Sequence, residues 1–270
     1  MQKLKIFVCC HKEGFCLKSD VYEPIQAGRA VSKVSLDMLG DDMGDNISGK
    51  NKNYCELTAH YWIWKNYADA EYVGLCHYRR YFNLVGNKWL KANKGVPESD
   101  MPSEVDLKFL EDADVIVPLP GVCVMTMKDY YCCGHIVEDY DVLEEVVKEL
   151  YPDYYEDFLY VMTKNNKCSM WNMIIAKKPI FDAYSEWLFS ILFEVEKRVK
   201  ISEYPNQARV FGFMSELLLN VYLKHNRQYC VKTRPVIWIG ENLNISWVKQ
   251  TLSRWLRNIL FVLNSIVAPS

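Results

Sequence analysis

The chain has no charge excess of either sign. Its 270 residues carry 32 Lys and Arg against 34 Asp and Glu, so the formal net charge is -2 at pH 7. A domain that binds nucleic acid usually has a clearly basic balance. The composition therefore argues against a nucleic-acid binder, and any anionic ligand must be held by a local group of cations.

The chain also lacks the patterns of export and of structural zinc. The apolar run at 6–10 near the start is too brief for a secretory signal. None of the 10 cysteines forms a CxxC pair, and no Cys/His group has zinc-finger spacing. We therefore expect a cytoplasmic protein whose cysteines are reduced, mostly buried thiols rather than disulfides.

Apolar and aromatic residues are plentiful, and the sequence contains no internal repeat. The hydrophobic fraction is 50% and the aromatic fraction 14%, with 18 Tyr and 8 Trp. These values are typical of an ordinary globular enzyme with one large core. Aromatic rings of this number can fill the core, and some of them can also stack on sugar rings.

Short β-branched runs alternate with helical patterns along the chain. Asn53 and Glu56 have the spacing of a helix capping box. Strands interleaved with helices predict an α/β fold with a central, mostly parallel sheet. The predicted strands are 5–10, 70–76, 114–118 and 170–176, the predicted helices are 54–66, 139–150, 152–163, 179–199 and 207–224, and the predicted irregular segments are 39–53, 83–103 and 122–139.

The segment 247–267 differs from the rest of the chain. Its apolar residues recur at helical spacing, and Lys249, Arg254 and Arg257 add positive charge. The charges make it a poor membrane span, but a helix lying in the plane of an anionic membrane surface fits the pattern. The alternative is a helix packed on the protein. We therefore predict a catalytic domain at 1–245 and a C-terminal amphipathic helix at 246–270.

The segment 71–82, which reads EYVGLCHYRRYF, is the most informative. An apolar strand delivers His77, Arg79 and Arg80 to its carboxyl end, the edge at which α/β sheets bind ligands. Guanidinium groups match phosphate oxygens in bidentate geometry. The pattern favours a cradle for the diphosphate of a nucleotide sugar. The alternative is that both arginines are surface or ion-paired structural residues.

Several motifs together resemble a known bacterial family. They are LGDD at 39–42, DNIS at 45–48, KNKNYCELT at 50–58, WIWKN at 62–66, HYRRYF at 77–82, NM at 172–173, WLF at 187–189 and RVFGF at 209–213 with Glu216. The family is described as a domain of unknown function, number 4422, and occurs in capsule, O-antigen and exopolysaccharide gene clusters.

The resemblance implies a GT-A-like fold and a hexosyltransferase activity. The expected reaction moves galactose or galactofuranose, with inversion, from a UDP-sugar to a lipid-linked polysaccharide acceptor. The expected location is cytoplasmic, as a peripheral protein on the inner face of the cell membrane.

The same resemblance raises the question of a metal cofactor. Other GT-A proteins carry Asp-x-Asp after a mid-chain strand to hold a divalent ion against the diphosphate. Here the equivalent place reads His77-Tyr78-Arg79. Cationic side chains could neutralise the leaving diphosphate instead, so we expect no metal cofactor. Asp41, Asp42 and Asp45 could chelate a cation, although acidic loops are commonly acidic only for solubility.

The candidate site residues fall into three groups. The candidate catalytic bases are Glu216 first and His135 second, since inverting transfer needs a group that takes the proton of the acceptor hydroxyl. The candidate acceptor ligands are Trp171, as a sugar platform, and Asn172; both could equally be structural strand residues. The candidate donor ligands are His11, Lys12, Asn46, Asn51, Tyr54, His77, Arg79 and Arg80.

Two other functions remain open at this point. A non-catalytic glycan-binding or scaffold protein of a polysaccharide assembly complex would need aromatic residues only, whereas a diphosphate cradle would be superfluous there. A nucleotide-sugar hydrolase or phosphotransferase would favour a set of metal-binding carboxylates and a water nucleophile, and no such set is evident.

Overall fold

The structure is a computed structural model that describes residues 1–85, 93–102, 104–240 and 247–267, with only the backbone of Trp247 and Val267. In chain order, the strands are β1 (Gln2–Cys10), β2 (Tyr22–Gln26), β3 (Leu39–Gly40), β4 (Ala70–His77), β5 (Arg80–Phe82), β6 (Lys94–Val96), β7 (Val115–Pro118), β8 (Gly121–Val122), β9 (Lys167–Cys168), β10 (Ile174–Lys177), β11 (Val231–Arg234) and β12 (Val236–Ile239). The α-helices are α1 (Asn51–Tyr54), α2 (Leu57–Asn66), α3 (Met127–Gly134), α4 (Val137–Leu150), α5 (Pro152–Thr163), α6 (Lys178–Arg198), α7 (Val210–His225) and α8 (Trp247–Val267).

The chain divides into two compact units. The first contains Met1–Leu119, Asn172–Glu186 and Gln228–Asn244, and the second contains Pro120–Trp171, Trp187–Arg227 and Ile245–Ser270. This division groups α8 with the helices of the second unit. The separation of 1–245 from 246–270 stays a prediction.

The first unit is built on one large sheet. Its central order is β11-β7-β10-β4-β1-β2-β3, and β5, β6 and β12 extend it from β4. Strands β1, β2, β3 and β4 run parallel, and β7 is parallel to β11. Strand β10 is antiparallel to both β4 and β7, so these two point the same way. The expected α/β fold with a mostly parallel sheet is confirmed.

The central strand β1 owes its position to an unbroken apolar run. Ile6, Phe7 and Val8 are each at most 1% exposed. A strand with both faces covered needs apolar residues throughout rather than in alternation, which is what parallel sheets show. The run 6–10 is therefore the signal of a core strand, and β1 contacts parallel neighbours on both sides.

Helix α2 packs into the first unit and buries a histidine. His60 is 1% exposed, its Nε2 lies 2.8 Å from Ser185 Oγ, and its ring stacks on Phe181 at 4.6 Å between centroids. Burial lowers the pKa of His60 to about 3. The ring is therefore neutral at physiological pH and belongs to the core.

The second unit is mainly helical. Thr126 begins α3 by accepting a hydrogen bond from Asp129 N at 3.1 Å, the usual role of a threonine at this position. Pro152 stands in the first turn of α5, where its missing N–H costs nothing. Tyr154 of α5 stacks on His225 of α7 at 3.7 Å between centroids. Strands β8 and β9 form a separate antiparallel pair.

Helix α8 turns its polar face toward the second unit. Arg254 donates to the Pro120 carbonyl, and Arg257 Nη1 donates to the Val122 carbonyl at 3.4 Å. Asn264 Nδ2 donates to a third carbonyl of the same segment, that of Val124, at 3.2 Å. Arg254 and Arg257 therefore contact carbonyls of the chain itself, whereas the sequence predicted that they contact lipid headgroups.

The most exposed apolar side chains of α8 lie on the other face. Eight of them are between 47% and 74% exposed: Val248, Leu252, Trp255, Leu256, Leu260, Val262, Leu263 and Ile266. We call these eight residues the α8 apolar face. Across residues 1–85, 93–102, 104–240 and 247–267, no helix combines the length and the hydropathy that crossing a bilayer requires.

Several local predictions were wrong. The helix predicted at 54–66 starts later, at Leu57 of α2, and Cys55 before it has φ 51°. The Asn53–Glu56 capping box is absent, since Asn53 lies within α1 and does not cap α2. The segment 122–139 was predicted to be irregular but contains α3. The loop at 39–53 contains β3. In the predicted excursion 83–103, β6 is described and residues 86–92 and 103 lie outside the described residues.

Candidate active site

The carboxyl ends of β1 and β4 lie side by side at one edge of the sheet. The two strands are parallel neighbours, and Cys9 pairs with His77 in their register. From β1 the chain proceeds to β2 and β3 on one side and returns to β4 on the other. In open α/β sheets such a reversal leaves a crevice outside the carboxyl ends, where ligands bind. The segments after Cys10 and His77 therefore border the expected ligand crevice.

Arg79 lies in the tight turn that follows β4. The antiparallel pairing of His77 with Arg80 leaves Tyr78 and Arg79 as the two residues of the turn. Cys9 O accepts a hydrogen bond from Tyr78 N at 3.2 Å, and Ile239 N donates to the Arg79 carbonyl at 3.0 Å. The turn is thus tied to the end of β1 and to β12, and it presents an exposed Arg79 side chain.

A cavity of about 230 Å³ opens next to this turn. It is lined by Lys12, Gly14, Phe15, Tyr78, Arg79, Glu98, Ile239 and Gly240. The cations Lys12 and Arg79, both predicted donor ligands, thus come together although they are far apart in sequence. Sites for drug-sized ligands begin at about 300 Å³, so the cavity suits an anionic group such as a diphosphate better than a whole nucleotide sugar.

Two contacts hold the loop after β1, which carries Lys12. Cys10 Sγ lies 3.0 Å from Cys16 Sγ, which closes the loop between them. The ring of His11, another predicted donor ligand, contacts Tyr78 edge-on with the centroids 5.3 Å apart. The loop after β1 and the turn after β4 therefore form one continuous surface.

Arg80 has a different environment from Arg79. It belongs to β5 and pairs with Trp238 of β12, and its guanidinium carbon lies 4.6 Å from the centroid of that ring. Stacking of this kind is worth about 0.5–2 kcal/mol. Arg79 thus lines the cavity, whereas Arg80 packs on β12. A role for Arg80 in donor binding stays a prediction.

The acidic loop after β3 has a structural function at Asp41. This side chain is 0% exposed. Its carboxylate accepts hydrogen bonds from Gly28 N at 2.8 Å and Arg29 N at 3.0 Å, and from Ser48 Oγ at 2.5 Å. Asp45 accepts a bond from a tyrosine hydroxyl in α2 at 3.1 Å. Cation chelation by Asp41 together with Asp45 is therefore not supported, because both carboxylates serve the fold.

Three further predicted donor ligands lie in the segment that follows. Asn46 Nδ2 donates to the Gly44 carbonyl at 2.9 Å. Asn51 Nδ2 donates to Cys55 O at 2.7 Å and to Thr58 Oγ1 at 3.1 Å. Tyr54 is fully buried, so it offers no exposed surface to a donor. These residues shape the segment, and donor contacts by the two asparagines stay predictions.

A carboxylate that the sequence did not single out for binding lies at the same sheet edge. Glu56 Oε1 accepts a hydrogen bond from Asn172 Nδ2 at 2.6 Å. Extending the pairing of Ile174 with Leu75 places Asn172 beside the end of β4. Burial, followed by the charges of Glu56 and Asp41, raises the pKa of Cys9 at the end of β1. Glu56 is therefore near the ends of both strands.

The candidate acceptor ligands are not strand residues. Strand β10 begins at Ile174, and Trp171 and Asn172 before it have φ 71° and φ 50°. The strand predicted at 170–176 was therefore wrong at its start. A left-handed backbone is uncommon for any residue except glycine and is an outlier for a bulky one.

The two candidate bases belong to the second unit. Glu216 is a half-buried residue of α7 whose carbonyl accepts a bond from Asn220 Nδ2 at 2.8 Å. His135 follows α3 and packs on Phe213 at 4.0 Å between centroids. Burial lowers the pKa of His135, although its contact with Gln207 opposes the shift. A catalytic role for either residue stays a prediction.

The residues do not fit a divalent metal of the Asp-x-Asp kind. Asp41 and Asp45 make the bonds given above, and no three His, Cys, Asp or Glu side chains in the described part of the chain group where an ion could bind.

Comparison with known proteins defines the class to which this fold belongs. The chain is similar to a solved bifunctional glycosyltransferase, WbbM, in its apo form, with a TM-score of 0.80 and 30% sequence identity. The match covers 89% of this chain and 46% of WbbM, so the chain spans about half the length of that protein. No protein with a curated description matches it. The chain thus has the fold of a glycosyltransferase, with the α/β architecture that was predicted.

The family follows from the sequence itself. Residues 5–227 match the family described as Domain of unknown function (DUF4422). The chain belongs to this family, and the predicted resemblance is confirmed.

Proposed function

We propose that this chain is a glycosyltransferase that moves a hexose, galactose or galactofuranose, from a UDP-sugar to a lipid-linked polysaccharide acceptor. The process would be capsule, O-antigen or exopolysaccharide synthesis. The observation that carries the proposal is the cavity at the carboxyl ends of β1 and β4, where Lys12 and Arg79 face the same space. The family and the similarity to a bifunctional glycosyltransferase support the reaction class.

Two of the three charged side chains that line the cavity, Lys12 and Arg79, match the charge of the leaving group of this reaction, and the third is Glu98. When an acceptor hydroxyl attacks the anomeric carbon, the bond from that carbon to the diphosphate oxygen breaks and UDP departs with additional negative charge. Fixed cations placed where this charge develops stabilise the transition state more than the ground state. Arg79 and Lys12 are suited to that role. In the proposed inverting reaction a base, Glu216 or His135, takes the hydroxyl proton.

Turnover of nucleotide sugars tests the function directly. The chain is incubated with several UDP-sugars and a synthetic lipid-linked acceptor, with and without a chelator, and the release of UDP is measured. We expect release with UDP-galactose or UDP-galactofuranose, dependent on the acceptor and unaffected by the chelator. Binding of glycan without binding of any UDP-sugar would instead support the scaffold function.

Substitution of Arg79 tests the proposed cradle. Arg79→Ala is expected to weaken UDP binding by about 1.5–3 kcal/mol, the contribution of a charge-assisted hydrogen bond, as measured by titration calorimetry. Lys33→Ala removes an exposed cation elsewhere in the first unit and serves as the control. Arg80→Ala is expected to lower the melting temperature through loss of the Trp238 contact. Wild-type UDP affinity in Arg79→Ala would refute the cradle.

We further propose that the α8 apolar face rests on the cytoplasmic membrane surface. Eight apolar side chains are exposed together on one side of the helix. A contiguous apolar surface of this kind marks an interaction site in a soluble protein. A membrane is the occupant that fits a lipid-linked acceptor, since the acceptor's sugar is presented at the headgroup level. Lys249 is exposed at the start of the helix and can meet anionic lipids.

Polar substitutions on α8 are expected to release the protein from membranes. Leu252→Gln, Leu256→Gln and Leu263→Gln combined remove apolar side chains without touching Arg254 or Arg257. In flotation assays with anionic vesicles, the triple variant should move to the soluble fraction. Its transfer to a water-soluble acceptor should stay intact. Val137→Gln with Leu150→Gln, two other exposed apolar residues, is the control. A change from dimer to monomer without loss of flotation would identify a second copy as the occupant.

A further inference from the structure

Glu56 and Asn172 form a hydrogen-bonded pair whose purpose is not explained by helix capping. Glu56 stands at the N-cap position of α2, yet its side chain makes no cap bond. Its carboxylate instead accepts a short bond from Asn172 Nδ2, at 2.6 Å. Asn172 is 4% exposed, and Glu56 is half-buried. An almost fully buried amide therefore orients a carboxylate that keeps contact with solvent.

Backbone strain is concentrated around this pair. Within the described ranges, the non-glycine residues with positive φ are Cys55, Trp171 and Asn172. Cys55 directly precedes Glu56, and the other two include Asn172 and its neighbour. Such conformations cost on the order of 1 kcal/mol or more each, and they cluster at ligand sites because there the strain serves positioning. The strain indicates that the placement of this carboxylate is specified for a purpose beyond stability.

The chemistry of a carboxylate limits what it can bind here. An ionised carboxylate only accepts hydrogen bonds, at about four lone-pair sites, and the bond from Asn172 uses one of them. A diphosphate would be repelled by it, whereas hydroxyl groups are donors that it can accept. Acidic residues at this edge of α/β sheets bind sugar hydroxyls of nucleotides in other proteins. A sugar ring is therefore the ligand class that fits.

We propose that Glu56, oriented by Asn172, accepts hydrogen bonds from the hydroxyl groups of a sugar ring in the donor nucleotide sugar. The proposal rests on the proposed function, because it takes the donor from there. It separates the site into two parts with opposite charge. The cations Lys12 and Arg79 serve the diphosphate, and the carboxylate of Glu56 serves a sugar on one side of it. Asn172 acts as a positioning residue.

Binding measurements with matched ligands test the proposal. Glu56→Gln keeps the size of the side chain and an oxygen that can accept from Asn172, but removes the charge. Titration calorimetry of UDP, 2′-deoxy-UDP and the UDP-sugar used by the wild type is compared with Glu111→Gln, which removes an exposed carboxylate elsewhere in the first unit. We expect Glu56→Gln to weaken UDP-sugar binding by roughly 10- to 100-fold, the effect of losing a bond to a charged group.

The ligands distinguish the two possible sugars. If Glu56→Gln loses affinity equally for UDP and for the UDP-sugar, and loses none for 2′-deoxy-UDP, then Glu56 binds the ribose. If it loses affinity for the UDP-sugar alone, then Glu56 binds the transferred hexose. Asn172→Gly, which suits the positive φ but removes the amide, is expected to weaken binding of the same ligand. A purely structural pair would lower the melting temperature and leave affinity intact.

The outcomes also separate this proposal from the function on which it rests. If the wild type binds no UDP-sugar, the proposed function fails and the role of Glu56 fails with it. If the wild type binds UDP-sugar and both Glu56→Gln and Glu56→Ala bind it equally well, only the role of Glu56 is overturned. Unchanged binding with lost turnover would also overturn it, and would make Glu56 a candidate base instead.

Discussion

Glu216→Gln is expected to lose about 100- to 10,000-fold in transfer rate, the usual contribution of a general base, while UDP-sugar affinity and melting temperature stay at their wild-type values. The amide is close in size to the carboxylate but cannot take the proton of the acceptor hydroxyl. Single-turnover rates with saturating donor and acceptor measure the chemical step, and calorimetry with UDP measures donor binding. Both are needed, because only the pattern of losses identifies a base.

Glu203→Gln is the matched control, since Glu203 is an exposed carboxylate of the same unit. A structural helix carboxylate at position 216 would behave like this control, or would lose stability and turnover together, because an exposed ion pair or cap is worth only about 1 kcal/mol. Full activity in Glu216→Gln would remove it from consideration as the base.

His135 is then the next candidate, and the structure defines how it would act. Gln207 Nε2 donates to the Gly134 carbonyl at 2.9 Å, so its Oε1 faces His135 Nδ1 at 3.3 Å. An amide oxygen only accepts, which places the proton of the neutral ring on Nδ1 and leaves Nε2 to accept one. Because burial lowers the pKa of His135 from its ordinary value, activity that depends on this base would fall at a more acidic pH than it would with a solvent-exposed histidine.

The central sheet could be predicted from the sequence because its core strands carry unbroken apolar runs. The segments 5–10 and 114–118 correspond to β1 and β7, and 70–76 to β4. The peripheral strands β2, β5, β11 and β12 were not predicted. They are only three to five residues long, and their place depends on pairing with distant segments.

The site was only partly predictable for a similar reason. The HYRR segment indicated cations at the carboxyl end of β4, and Arg79 lies there. The sequence could not assign different environments to two adjacent arginines, because Arg80 is defined by Trp238, a residue remote in sequence. Glu56 was interpreted as a helix cap from its local spacing with Asn53. Its partner Asn172 lies in another part of the chain, and no local pattern predicts the strained backbone that presents it.

The burial of Asp41 could not be predicted from the polar composition of the loop at 39–53. Asp41, Asp42 and Asp45 are spaced like a weak cation motif, and acidic loops are usually solvated. In the structure Asp42 is exposed but Asp41 is fully buried. A buried carboxylate must be paired or hydrogen-bonded, and two of its donors, Gly28 N and Arg29 N, come from the loop after β2. Asp41 thus joins the segments that follow two neighbouring strands.

Asp41→Ala is therefore expected to destabilise the fold by about 3–5 kcal/mol. It removes the acceptor for Gly28 N, Arg29 N and Ser48 Oγ, and each buried donor left without a partner costs about 1–3 kcal/mol. That loss is a large part of the roughly 5–15 kcal/mol by which domains are stable.

Urea unfolding followed by circular dichroism measures this effect, and Asp42→Ala, at the exposed neighbouring position, is the control with an expected change within about 0.5 kcal/mol. Equal stability of the two variants would show that the three hydrogen bonds do not hold the loops. A different result would restore the chelation hypothesis: if Mg²⁺ or Ca²⁺ raises the stability of the wild type but not of Asp41→Ala, the carboxylate binds a cation. The structure predicts no such rise, since the oxygens of Asp41 already accept bonds from the protein's own donors.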